Sequence, residues 1–173
     1  MNNVYVKNII RFVLLVLLQV LVLDKVSFGG YIIPYVYILF ILLLPFDIPK
    51  SLLLILAFFT GLTIDFFGNS LGLHTAALVL LAYARPSILK FYFPKIEALP
   101  GEEPGIVKLG MAGFIKYGFS LILIHHLLLF FLETFSFSHF FITLEHVLFN
   151  ALASLMAVLI LEVLFAKRIK RRR

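Results

Sequence analysis

The sequence predicts an all-α fold: a polytopic bundle of six transmembrane helices forming one domain over residues 1–173. Three observations carry this. Hydrophobic residues make up 62% of the chain and charged ones 14%, against about 45–50% and about 25% in soluble domains. The apolar residues fall into long runs joined by short connections, and the basic residues collect beside alternate connections. No soluble core of this length hides so much Leu, Ile, Val and Phe, and the length leaves no room for a separate soluble domain. Cysteine is absent, which excludes disulfides, thiolate metal sites and cysteine nucleophiles.

The first segment, about 9–26, ends before Ser27, Gly29 and Gly30. It is too long and apolar for a cleaved signal, and no small-residue cleavage site follows, so it is expected to be retained. The second, about 31–44, contains Pro34 and stops at Pro45. The third covers about 51–67 and the fourth about 71–84; the fifth runs over about 109–132 and the sixth over about 140–165. A span needs roughly 20 apolar residues, so the second and fourth are short. The fourth either stops there or continues past Pro86, kinked, towards Phe93.

Lys7 and Arg11 flank the start of the first segment, and Lys167, Arg168, Lys170 and Arg171–Arg173 follow the last. Lys50, Arg85, Lys90, Lys95 and Lys108 fall in the second and fourth connections. The positive-inside rule therefore places both termini and Pro94–Lys108 in the cytoplasm, which needs an even number of spans. Tyr31, Tyr83, Tyr92 and Tyr117 are the candidate interface anchors. Pro94–Lys108, rich in Pro and Gly with Glu97, Glu102 and Glu103, reads as a flexible linker, with a partner-docking loop as the other reading.

Polar residues inside apolar runs are costly and mark function or a specific helix contact. Gly61, Asp65, Gly68, Gly72 and His74 form the densest such group, between two nearly pure apolar stretches. On one reading Asp65 caps the turn before the fourth helix by accepting backbone N–H bonds. On the other it is a proton or ligand site. The glycines, spaced 4, 3 and 4 with Asp65 among them, read as turn and close-packing positions. Folding the last hairpin brings His125, His126, Glu145 and His146 to similar depth, with His146, Asn150 and Ser154 on one helix stripe. This buried polar cluster is read as two helices bonding across their interface, the alternative being metal or proton chemistry. Neither an HExxH helix nor a Gly-x-Ser-x-Gly elbow is present, and no paired aspartates lie within spans. The basic tail 167–173 fits attraction to anionic lipid better than nucleic acid.

Gly61-Leu-Thr-Ile-Asp65 followed by Leu71-Gly72-Leu-His74-Thr75, central in a chain of this length and span count, resembles the MreD family. The resemblance implies a non-enzymatic subunit of the bacterial cell-wall elongation (rod) complex in the cytoplasmic membrane. It implies association with a bitopic MreC-like protein, and through it with the MreB filament, RodA and a class B penicillin-binding protein. It also implies a fold similar to the S components of energy-coupling-factor transporters, with no cofactor, metal or catalytic residue. The runner-up is an S-component-like binder of a small vitamin or metal, which needs a pocket at the extracytoplasmic face. An intramembrane hydrolase is disfavoured by the missing nucleophile.

Overall fold

The computed structural model describes residues 2–25, 32–134 and 140–170. Among them the order is α1 (Asn2–Leu21) with a one-turn 3₁₀ helix (Leu23–Lys25), α2 (Ile38–Leu42), α3 (Lys50–Gly68), α4 (Leu73–Tyr92), α5 (Ile106–Thr134) and α6 (Phe140–Lys170). Four stretches, Val6–Lys25, Lys50–Gly68, Ile106–Thr134 and Phe140–Leu164, are long and apolar enough to cross a membrane. The chain is thus an all-helical membrane protein. The basic tail beyond Lys170 and most of the connection before Phe140 lie outside the described residues.

α4 has the length of a span, 20 residues, and runs through Pro86. It is less apolar than the other four because it carries Arg85 and Lys90. α5 is interrupted at Gly110, whose φ of 71° and ψ of 166° are not helical.

The second segment departs from expectation. Instead of a spanning helix over 31–44, it holds only the five-residue α2, preceded by a non-helical stretch through 33–36. Every residue from Val36 to Leu44 is buried. Surrounding it are α1, α3, α4, α5 and α6, with Leu15, Leu53, Leu78, Leu81, Phe114, Leu121 and Ala151 in the same core. Non-helical backbone at membrane depth survives only where protein groups satisfy it, and side chains from the wall do so here. Ile33 N donates to Asn150 Oδ1, Tyr35 N to Ser154 Oγ and Val36 N to Gln19 Oε1, all at 2.8 Å; Pro34 has no N–H to satisfy. At the other end the carbonyls left over by a short helix take cationic and phenolic donors. Arg11 donates to Leu43 O at 3.3 Å, Tyr117 Oη to Leu42 O at 2.9 Å, and Arg85 to both Leu44 O and Pro45 O. Arg85, counted by sequence among the connection's cations, is therefore an interior residue, 1% exposed.

The two ends of the bundle differ. The basic end joins the start of α1 to the 94–105 connection, because Glu103 pairs with Lys7 at 2.7 Å and Arg11 at 2.8 Å. Asp47 accepts the Gly101 N–H, and Phe46 N donates to Glu102 O. The connection read as a flexible linker is instead tied down, since two of its acids, Glu102 and Glu103, pair within the chain. Glu162, buried on α6, accepts Ile106 N–H at 3.0 Å and so caps α5.

Candidate functional site

The far end carries the Gly61–Thr75 group. α3 ends at Gly68 and α4 begins at Leu73, and Asn69, Leu71 and Gly72 between them all have left-handed backbones (φ 56°, 47° and 88°). Gly72 stands at the N-cap position of α4, where it has no side chain to offer the orphaned N–H groups. Asp65 supplies that acceptor from α3. Its Oδ1 takes His74 N at 3.0 Å and Ser70 Oγ at 2.6 Å; its Oδ2 takes Thr75 N at 2.8 Å and Thr75 Oγ1 at 2.5 Å. A carboxylate at a helix N-terminus is favoured by the helix dipole as well as by these bonds. All four contacts are to the chain itself.

The glycines have separate roles. At Gly61 a Cβ would meet the Thr75 backbone, 2.8 Å from its N and closer still to its Cα. At Gly61 the backbones of α3 and α4 approach too closely to admit a side chain. At Gly72 a Cβ would meet nothing within 4 Å among the described residues, so Gly72 packs closely against no helix of this chain and serves its left-handed φ. The nearest atom to a Cβ at Gly68 is Ser70 Oγ, at 3.5 Å.

His74 joins a second network. Tyr37 Oη lies 2.8 Å from His74 Nδ1 and 2.9 Å from His125 Nε2. One hydroxyl proton serves two ring nitrogens, so one histidine accepts from Tyr37 and the other donates to it. His125 Nδ1, fully buried, has no hydrogen-bond partner among the described residues. An orphaned N–H is the rarer defect in folded proteins. The network is therefore assigned with His125 protonated on Nε2, Tyr37 donating to His74, and the His125 orphan a bare lone pair. His126 crosses to α6 through Ser154 Oγ at 3.1 Å and also bonds Ile122 O at 2.8 Å.

The expected cluster from the last hairpin is thus only partly brought together. His125, His126 and Asn150 are buried, but they turn to Tyr37, Ser154 and the non-helical stretch. The His146 ring packs edge-on against Phe130. Glu145 is exposed, a correction to its placement in the buried cluster. The cause is helix geometry. Thr143, Val147, Asn150, Ala151, Ser154 and Val158 form the inward stripe of α6, and position 145 lies on the opposite face from 147. Among the described residues, no three His, Asp or Glu side chains converge as a metal-holding group.

A cavity of about 260 Å³ lies beside His74, lined also by Asp24, Lys25, Ile33, Tyr35 and Phe67. Asp24 is held by Gln19 Nε2 at 2.7 Å. The residues sequence reasoning missed are Gln19, Tyr35, Tyr37 and Glu162, while Arg85 and Tyr117, read as a connection cation and an interface anchor, are instead buried core residues bonded to each other. For Gln19, Arg85 and Glu162 a signal existed, a lone polar residue in or beside an apolar run, the same one that singled out Asp65. Fold and site together define a class: an all-helical membrane protein whose buried polar side chains are spent on holding an irregular central segment and a rigid turn. Compared with family models, curated proteins and solved structures, the chain has no match.

Proposed function

We propose that this protein is a non-enzymatic membrane subunit of the bacterial rod complex, bound by an MreC-like partner at the α3–α4 turn. The observation that carries this is the use made of Asp65. Its oxygens are occupied by Ser70, His74 and Thr75, and the turn they lock projects Leu71, 98% exposed, with Phe66 and Phe67 exposed beside it. A rigid apolar projection with its polar groups consumed internally suits being bound and offers nothing to a substrate. The resemblance of the Gly61–Thr75 group to MreD gives the partner class. In this reading the basic end faces the cytoplasm, since by sequence thirteen of the fifteen Lys and Arg residues fall in or next to the regions that this orientation places inside. A single cysteine replacing Leu71 should then label from outside with an impermeant thiol reagent. One replacing Leu99, exposed in the 94–105 connection, should not; the reverse pattern refutes the orientation.

Leu71→Gly tests the docking role. Leucine in the left-handed region costs roughly 1–2 kcal/mol, which glycine avoids. The variant should melt no earlier than wild type, yet recover several-fold less of the MreC-like partner. Unchanged recovery would remove the turn from the interface.

One observation favours a second reading, a small-molecule binder: the far-end cavity, with Asp24, Lys25 and His74 on its walls. The discriminator is what accompanies the purified protein. A bitopic protein recovered in stoichiometric amount supports the first reading, and a small molecule retained in the absence of any partner supports the second.

A further inference from the structure

A second cavity, about 180 Å³, lies between α3 and α4 at the basic end. Leu53, Leu54 and Pro86 form its apolar walls, and Lys50, Tyr83 and Ser87 are its exposed lining residues. We propose that this groove binds one anionic phospholipid, with the phosphate on Lys50 and Ser87 and the first part of an acyl chain along Leu53 and Leu54.

Position, charge and size each support this. Lys50 is the first residue of α3, a candidate span, so its ammonium stands at headgroup level and Leu53 and Leu54 lie one turn deeper. Where α3 crosses a bilayer, that bilayer supplies phosphate and acyl chain together at matching depth. None of the groove's lining residues is acidic, and Lys50 makes no ion pair among the described residues. The nearest acid in sequence, Asp47, is turned to the Gly101 N–H. Arg85, next to the lining residue Pro86, is a buried cation with no carboxylate within ion-pair distance among the described residues, so it adds to a positive potential. Basic pockets between helices at a membrane surface are suited to anionic headgroups. The volume is below that of a whole lipid, so the rest of the molecule stays in the bilayer.

The proposal requires α3 to span a membrane and does not depend on any protein partner, so the partner experiment above can fail without touching it. Protein purified in detergent is titrated with phosphatidylglycerol, or with phosphatidylcholine of the same chains, and bound lipid is counted by native mass spectrometry. One phosphatidylglycerol should be retained several-fold more strongly than phosphatidylcholine. Lys50→Gln should lower phosphatidylglycerol retention about five-fold, the equivalent of about 1 kcal/mol per basic residue at a membrane surface, and leave phosphatidylcholine unchanged. Ser87→Trp, at an exposed position, should plug the groove and displace the lipid without altering the melting curve. Lys50→Arg should retain it. Equal retention of the two lipids, or Lys50→Gln binding like wild type, overturns the proposal. Full competition by glycerol phosphate at equal concentration also overturns it, because the site would then belong to a soluble phosphate.

Discussion

Arg85→Ala should destabilise the purified protein by about 3 kcal/mol or more, seen as a large drop in melting temperature in detergent. Arg85 Nε donates to Tyr117 Oη at 3.0 Å, and Nη2 donates to Leu44 O and to Pro45 O. These carbonyls follow the end of α2, where no further turn of helix continues the ladder. Alanine leaves Leu44 O buried without that donor, at roughly 1–3 kcal/mol for an orphaned group, and leaves the half-buried Pro45 O with only the long bond from Ile48 N, at 3.5 Å. Desolvation works the other way, since Arg85 has no carboxylate partner among the described residues and its removal relieves the cost of burying a cation. Hydrogen bonds from a charged donor are worth about 1.5–3 kcal/mol each, so the loss should outweigh the relief. Arg85→Lys should recover only part of the difference, because one ammonium cannot reproduce the guanidinium fork across phenol and carbonyls. Tyr117→Phe combined with Arg85→Ala should cost less than the two singly, since they share a bond. If Arg85→Met melts within about 1 kcal/mol of wild type, the Leu44 carbonyl has another donor and this account of the central segment is wrong.

The sequence carried the membrane class through composition, and most of α1, α3, α5 and α6 through apolar run length, because those runs exceed what a soluble helix needs. It also pointed to Asp65, since a carboxylate deep in an apolar run has few stable arrangements and capping the next helix is one. The second segment was not legible as what it is. An apolar run of 14 residues reads as a short helix, and nothing local says that its N–H groups will be met by Asn150, Ser154 and Gln19. Those partners lie 117, 119 and 17 positions away, and such non-local pairs leave no periodic trace. Pro34 was the one local hint against a regular helix there. Arg85 was misplaced for a related reason. Charge counting treats every cation near a segment end as topological, but only burial distinguishes a positive-inside residue from a hydrogen-bond donor to the core. Glu145 was drawn into the buried cluster by depth alone, and depth along a helix leaves the face undetermined.

Gly61→Ala should have the second large effect and act on the proposed partner surface at a distance. A methyl group at Gly61 would press on the Thr75 backbone, which lies 2.8 Å or less from the ideal Cβ, where ordinary carbon contacts need about 3.5 Å or more. The obstacle is backbone, so no rotamer change relieves it and α3 and α4 must move apart by up to about an ångström. Asp65 is one turn further along α3 and holds the same Thr75 through N and Oγ1. A shift of that size takes those bonds beyond hydrogen-bonding distance. The expected cost is about 2–3 kcal/mol, from overpacking together with the loss of the cap. Asp65→Ala should cost about 1–2 kcal/mol by itself. Because both act on one seam, the double variant should fall well short of the sum. Gly72→Ala is the control: its Cβ meets nothing, so it carries only left-handed strain of roughly 1–2 kcal/mol. Both Gly61→Ala and Asp65→Ala should let the Leu71 turn drift and, if the proposed function holds, lower recovery of the proposed MreC-like partner, with rounded cells in the same strains. Thermal stability should fall in parallel, which separates them from Leu71→Gly, where recovery of the proposed partner should fall with stability kept. Wild-type melting and full partner recovery in Gly61→Ala would mean that α3 and α4 do not approach at this residue.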